Sequence, residues 1–262
     1  MEKIVLIGAG NVATHLGMAL QKSGHDVMQV YSRTEESARA LADKLGCRFT
    51  TSIAEVLPDA TLYIVSVKDD ALASLLPQLT ARNADALFVH TAGSVSIDVW
   101  SGLTRRYGVL YPMQTFSKTR EVDFSTVSFF VEASCPEDVD LLMALASGLG
   151  SKVYQATSAQ RKYLHIAAVF SCNFANHMYA VAAHLLAEHG LPFDAMLPLI
   201  DETARKVHQL LPVEAQTGPA VRNDKAVMDS HLAMLSTEPE LAELYRLISQ
   251  DIHSFERNKF RI

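Results

Sequence analysis

The sequence predicts an α/β fold: a doubly wound, mostly parallel sheet followed by an all-helical C-terminal domain. Three observations carry this expectation. Short apolar runs alternate with helix-like segments from residue 1 to about 155, the pattern of a parallel sheet covered on both faces. After Thr157 the strand-like runs stop, and 158–189 holds neither Pro nor Gly before Gly190-Leu191-Pro192, which reads as one long helix with a glycine stop. The first apolar run, ending at Ile7, leads into Gly8-Ala9-Gly10-Asn11-Val12-Ala13 and then into helical sequence.

In chain order, strands are expected at 3–7, 27–31, 62–67, 86–91, 109–111, 128–132 and 152–155. Helical segments fall between the first five of them, near 11–22, 34–45, 52–57, 71–79 and 97–103. Asp69 or Asp70 is the expected N-cap of the helix near 71–79. Beyond the long helix, further helices are expected at 193–211, 224–235 and 239–255. Thr237 with Glu240 three residues on gives the last of these a capping-box pattern. Two domains follow, 1–156 and 157–262.

The composition narrows the class of function. Of 262 residues, 49% are apolar and 20% charged, a globular profile and not a disordered one. The net charge of −6 provides no electrostatic footprint for nucleic acid, so none is expected as a partner. Cys47, Cys135 and Cys172 are far apart, a sparse and odd set that suggests reduced thiols and a cytoplasmic location. The first 20 residues show no signal-peptide pattern. The longest apolar stretch, 164–187, contains His165, Asn173, Asn176, His177 and His184, which argues against a membrane span.

The glycine motif after the first strand is what gripping a dinucleotide requires. Gly8 allows the tight turn, Gly10 lets a pyrophosphate approach the backbone, and Ala13 lets the helix lie close to the sheet. The anion would rest on the free N–H groups at the helix start, those of Asn11 and Val12 among them. The second strand ends in Tyr31-Ser32-Arg33-Thr34 with no carboxylate at its tip. An acidic residue there serves NAD, whereas hydroxyls and a guanidinium suit the 2′-phosphate of NADP. NADP is therefore the expected cofactor and NAD the less favoured one. The alternative for Ser32, Arg33 and Thr34 is a solvated helix cap.

Two further strand ends, 65–70 and 90–94, should complete the cofactor bed through Val67, Lys68, Thr91 and Gly93, with Ser94 facing the substrate. Capping and solvation are the competing roles for Lys68 and the aspartates. Spaced at about 100° per residue, Lys162, His165, Asn173, Asn176 and His177 share one arc of roughly 120° on the long helix. Histidine can move a proton to or from a carbonyl or imine near neutral pH, and an asparagine amide can orient the reacting atom. A plain polar face is the competing explanation. His177 and His184 lie about 10 Å apart along the axis, too far to share an ion, so no metal site is expected. Gln114 and Thr115 after the fifth strand, and Arg222 in Thr217-Gly218-Pro219-Ala220-Val221-Arg222-Asn223-Asp224, are candidate substrate contacts or simply turns.

Taken in order, GxGNVAxHL, YSR, VKDDAL, HTAGS, YPMQTFS, the SAQRKYLHIAAVFSCNFANHM helix and TGPAVRND resemble Rossmann-like proteins with a helical C-terminal domain of unknown function. These are distantly similar to pyrroline-5-carboxylate reductase and the 6-phosphogluconate dehydrogenase superfamily. The resemblance implies an NADP-type oxidoreductase fold and a homodimer formed through the helical domain. Hydroxyacid dehydrogenases of that superfamily pair a helix Lys with an Asn four residues on, but Lys162 is followed at 166 by Ile. His165, with Asn173 and His177, is therefore preferred to Lys162 as the catalytic set. The expected function is NADP-dependent reduction or oxidation of a small polar carbonyl, hydroxyl or imine compound held between the domains. A non-catalytic NADP(H)-binding sensor or assembly protein is the alternative.

Overall fold

The computed structural model describes residues 1–117, 119–150 and 152–258. Its chain divides into two compact units, Met1–His177 and Met178–Ile262.

The first unit is built on eight described strands: β1 (Lys3–Ile7), β2 (Asp26–Tyr31), β3 (Arg48–Thr50), β4 (Leu62–Val65), β5 (Leu87–His90), β6 (Tyr107–Met113), β7 (Ser128–Ala133) and β8 (Lys152–Gln155). They lie in the order β3-β2-β1-β4-β5-β6-β7-β8. All neighbours pair in parallel except β6 with β7. The strand order therefore reverses between β1 and β4, where an open α/β sheet forms its ligand crevice. Helices α1 (Asn11–Lys22), α2 (Glu35–Leu45), α3 (Asp69–Thr80) and α4 (Pro136–Ser147) follow β1, β2, β4 and β7. Two apolar clusters form the core. One joins Ile4, Leu6, Leu16, Leu45 and Val89, and the other joins Val5, Ile7, Tyr63, Phe88 and Trp100. Alternate residues of β1 thus feed opposite faces, as the two-residue period of a strand requires.

Five features depart from the sequence expectation. The segments expected as helices at 52–57 and 97–103 are short 3₁₀ turns, Ile53–Glu55 and Ile97–Trp100. The edge strand β3 and helix α4 are additional, although Pro136 at the start of α4 with Glu137 and Asp138 in its first turn is a helix-start pattern. The N-cap of α3 is Lys68, with Asp69 and Asp70 inside the first turn.

The long helix is present but not uniform. It runs as α5 (Ser158–Ala168), a π-helical segment Val169–Phe174, and α6 (Ala175–Glu188). A π turn holds one residue more than an α turn, so residues beyond it lag by about 100°. The single polar arc reckoned on an unbroken α-helix is therefore corrected. His177 comes round to within about 20° of His165, and Asn176 turns away.

The second unit is helical. It contains the rest of α6, α7 (Leu197–Lys206), α8 (Pro212–Ala215), α9 (Lys225–Met234) and α10 (Pro239–Asn258). Asp224 caps α9 by accepting the Val227 N–H. Among its described residues only Ala220 is buried. A cavity of about 360 Å³ lined by Met178, Val181, Leu185, Leu235, Leu244 and Ile248, among others, runs through it. No described helix is long and apolar enough to cross a membrane.

Candidate functional site

The turn after β1 is shaped by its glycines. Gly8 adopts φ +115°, where a side chain is strained, and a Cβ on it would overlap the Ser66 carbonyl oxygen. Its N–H donates to Tyr31 O at 2.7 Å, and Ser66 N–H donates to Ile7 O at 2.7 Å. The turn is thus locked to both neighbouring strands. Gly10 is the N-cap of α1 and makes no side-chain cap, and the first turn of that helix holds no acidic residue. Nothing lies within 4 Å of where a Gly10 Cβ would stand. Open space over free helix N–H groups with no competing carboxylate is what a pyrophosphate fits. The close approach of α1 to the sheet is completed by Gly17, whose Cβ would stand 2.7 Å from Leu6 Cδ1.

At the tip of β2, Ser32 N–H donates to Thr50 O at 3.2 Å, and Thr34 caps α2 without a side-chain hydrogen bond. Arg33 is exposed and forms no ion pair among the described residues. Glu35, the nearest acid in sequence, is turned to Arg39 at 2.5 Å.

The ends of β4 and β5 are tied side chain to side chain. Thr91 donates to the Ser66 hydroxyl at 3.0 Å, and Ser94 donates to the Asp69 carboxylate. Asp69 thus bridges strand ends, where the sequence suggested a cap. Val67 stands against Gly8. The segment after β6 folds back over α1. Asn11 donates its amide to Phe116 O at 2.8 Å, and His15 donates from Nε2 to Ser117 O at 2.8 Å. Gln114 and Thr115 are exposed there, with Thr115 N–H bonded to Gln114 Oε1 at 2.8 Å.

Three separate elements meet at Gly93. A Cβ there would stand 2.8 Å from Tyr111 Cζ on β6 and 2.9 Å from His165 Nδ1 on α5. The Tyr111 hydroxyl lies 3.4 Å from that nitrogen. Of the candidate catalytic residues, His165 is the one packed against the strand ends. Lys162 lines a separate cavity of about 700 Å³ with Asp98, Glu132 and Tyr163. Asn173 is exposed in the π-helical segment. His177 lies about 18 Å along the helix from His165, too far to act on the same atom. Arg222 is exposed in the second unit.

Sequence reasoning missed the group that holds α5. Arg161 is fully buried. It donates to Glu132 at 2.6 Å, to Val95 O at 2.6 Å and to Ser158 Oγ at 3.1 Å. Ser158 in turn donates to Glu132 at 2.7 Å and accepts the Ile97 N–H. A reciprocal cap between Thr157 and Gln160 starts the same helix. An arginine beside Lys162 in a helix carries no sequence mark of burial, so Glu132, 29 residues earlier, could not be assigned as its partner.

His90, at the end of β5, is also buried. Ala92 N–H donates to its Nδ1 at 3.2 Å, its ring stacks on Trp100, and burial, with the Arg161 cation second, holds its pKa down at about 4. The unfolded chain takes up a proton near the usual 6.5 that the native chain refuses. The stability from this neutral histidine is complete above that pH and is lost as pH falls toward 4, at about 1.4 kcal/mol per unit of separation. Urea unfolding across this range should show a steeper loss for the wild type than for His90→Gln. Parallel curves would assign the acid sensitivity elsewhere.

A sheet that reverses its strand order at a glycine turn, with an uncapped helix start beyond it, defines a dinucleotide-binding α/β protein of the Rossmann type. Residues 3–93 match the family model described as NADP oxidoreductase, coenzyme F420-dependent. Residues 127–252 match a domain of unknown function, DUF2520. A Bacteroides fragilis protein of known structure, assigned as an NADP oxidoreductase, is 59% identical, with 97% of this chain and 98% of that one covered and a TM-score of 0.92. The chain belongs to that family, in which an NADP oxidoreductase domain precedes DUF2520. A Thermotoga maritima protein shares the fold at 20% identity and a TM-score of 0.73, covering 98% of this chain and all (100%) of that one. Pyrroline-5-carboxylate reductase from Streptococcus pyogenes does so at 15% and 0.66, covering 97% and 98%. No curated protein matches the chain.

Proposed function

We propose that the protein is an NADP-dependent reductase or dehydrogenase acting on a small polar carbonyl, hydroxyl or imine compound held between the loop after β5 and helix α5. The observation that carries this reading is the meeting of His165 and Tyr111 on Gly93, beyond the end of β5, on the sheet in which β1, two strands away, ends in the glycine turn. When bound, the nicotinamide supplies or accepts hydride. Gly8, Gly10 and the N–H groups of Asn11 and Val12 hold the pyrophosphate, and Ser32, Arg33 and Thr34 take the 2′-phosphate. Val67, Lys68, Thr91 and Gly93 line the path toward the nicotinamide. His165 moves the proton; Asn173, His177 and Lys162, which do not share its place at Gly93, are candidates for other roles along the same helix. Ser94, Gln114 and Thr115 are the substrate contacts proposed beside this site, and Arg222 is a separate candidate in the second unit. Residues 1–156 serve the cofactor and 157–262 serve the substrate and a homodimer.

The dimer reading is supported by apolar side chains that the second unit leaves outside: Met234 is 74% exposed and Leu199 62%. Large apolar side chains left outside favour burial against a second copy. The three described cysteines are all unpaired, in keeping with a cytoplasmic location.

Arg33→Ala should weaken NADPH binding about tenfold or more, the loss of roughly 1.5–3 kcal/mol of charged hydrogen bonding, while leaving NADH binding nearly unchanged. Isothermal titration with both cofactors checks this, and equal losses would overturn the NADP preference. The enzymatic reading is tested by screening small oxo acids, aldehydes and cyclic imines for NADPH oxidation by wild type and His165→Ala. Tight NADPH binding without turnover across the panel would leave a non-catalytic binding protein.

A further inference from the structure

We propose that Tyr111 is a positioning residue for His165: its hydroxyl oxygen accepts the Nδ1–H of the imidazole, so that Nε2 is the nitrogen that gains and loses the proton. The proposal rests on the reading of His165 as the proton-transfer group. Tyr111 lies on β6 with its side chain almost wholly buried, and its oxygen stands 3.4 Å from Nδ1 of His165. The two rings meet edge to face at 65°, with centroids 6.4 Å apart. Nε2 makes no hydrogen bond among the described residues, and His165 is otherwise exposed. One ring nitrogen is therefore engaged by the protein, and the other is left for a ligand.

The charge states give this arrangement its use. Burial pushes the Tyr111 pKa up, so the phenol stays neutral, and beside an imidazolium, which carries no free lone pair, its oxygen is the accepting partner of Nδ1–H. An imidazolium carries N–H on both nitrogens. When it acts as an acid its Nε2–H bond breaks, the proton joins the substrate oxygen or nitrogen, and the bonding electron pair stays on the ring. The neutral ring left behind is the Nδ1–H tautomer, which still donates to Tyr111. The reverse transfer returns the proton to the same nitrogen. In water a neutral histidine favours the Nε2–H tautomer, which has no lone pair on Nε2 to accept a proton. In the accepting role Tyr111 inverts the default, as a carbonyl or carboxylate partner does for other histidines.

Gly93 and Arg161 make the contact possible. Any side chain at 93 would enter the space taken by both rings. Arg161, one turn before His165 on α5, fixes that helix to the Val95 carbonyl and to Glu132.

The test is a long-range ¹H–¹⁵N correlation spectrum of the full chain labelled in its histidine rings, recorded at a pH where His165 is neutral and assigned by its loss in His165→Gln. The expected result is the Nδ1–H tautomer in the wild type and a change to Nε2–H in Tyr111→Phe, with the other histidine signals in place. An Nε2–H tautomer in the wild type would overturn the proposal whether or not the variant folds, and so would an unchanged tautomer in Tyr111→Phe. The spectrum needs no substrate. A protein that shows the expected tautomer yet never oxidises NADPH would sink the enzymatic reading alone.

Discussion

Gly8→Ala should abolish NADPH binding and lower unfolding stability by about 3 kcal/mol, the upper range for strain at a position reserved for glycine. The backbone there sits at φ +115°, and the added methyl group would meet the Ser66 carbonyl, with Val67 Cγ1 3.3 Å away. Relief by movement is blocked, because hydrogen bonds to Tyr31 O and from Ser66 N–H fasten this stretch on both sides. Gly10→Ala makes the informative contrast. Its φ is −79° and its surroundings are open, so the variant should fold with near wild-type stability and still bind poorly, the methyl group occupying the pyrophosphate's place. Urea unfolding and calorimetric titration of both variants check the pair. Full NADPH binding by Gly8→Ala would remove the turn from the cofactor site.

Arg161→Met is expected to cost about 3–5 kcal/mol, the range for removing one partner of a buried ion pair. Arg161 is 0% exposed and the Glu132 side chain 19%, so among the described residues the carboxylate left behind keeps only Ser158 as a hydrogen-bond partner. The cost lies chiefly in that stranded charge, not in the lost attraction. The double variant Arg161→Met with Glu132→Gln should therefore recover a substantial part of it. Denaturant unfolding of both single variants and the double variant measures the coupling. Additive losses would show that the two groups do not act as a pair.

Legibility in the sequence followed the range of the interactions. The first strand and first helix, Lys3–Ile7 and Asn11–Lys22, were readable to the residue because an apolar run, two glycines and a helical period state them within 20 positions. The end of the sheet after Gln155 and the helical character beyond it were readable for the same reason. Contacts between distant segments were not. Gly93 and His165 each stood out as candidates, but their contact across 72 positions depends on where β5 and α5 end up. Tyr111 carries no such mark, because an aromatic residue inside a strand reads as core. Lys162 and His165 fell on one helical arc, yet a spread of about 60° is enough for them to face different surroundings. Angular reckoning also assumed a constant pitch, and nothing in Val169–Phe174 announces the change.

That change of pitch works as a frame offset in the middle of a continuous helix. Upstream of it, side chains keep the phase set by the Arg161 anchor; downstream, every residue is displaced by one position's worth of rotation. Deleting a single residue from 169–174 would leave the helix's length almost untouched but would present a different set of side chains along all of α6. Relatives of unequal length in this stretch therefore correspond by rotational phase and not by residue count, and Asn173, inside the offset, has no fixed counterpart in a helix that lacks it.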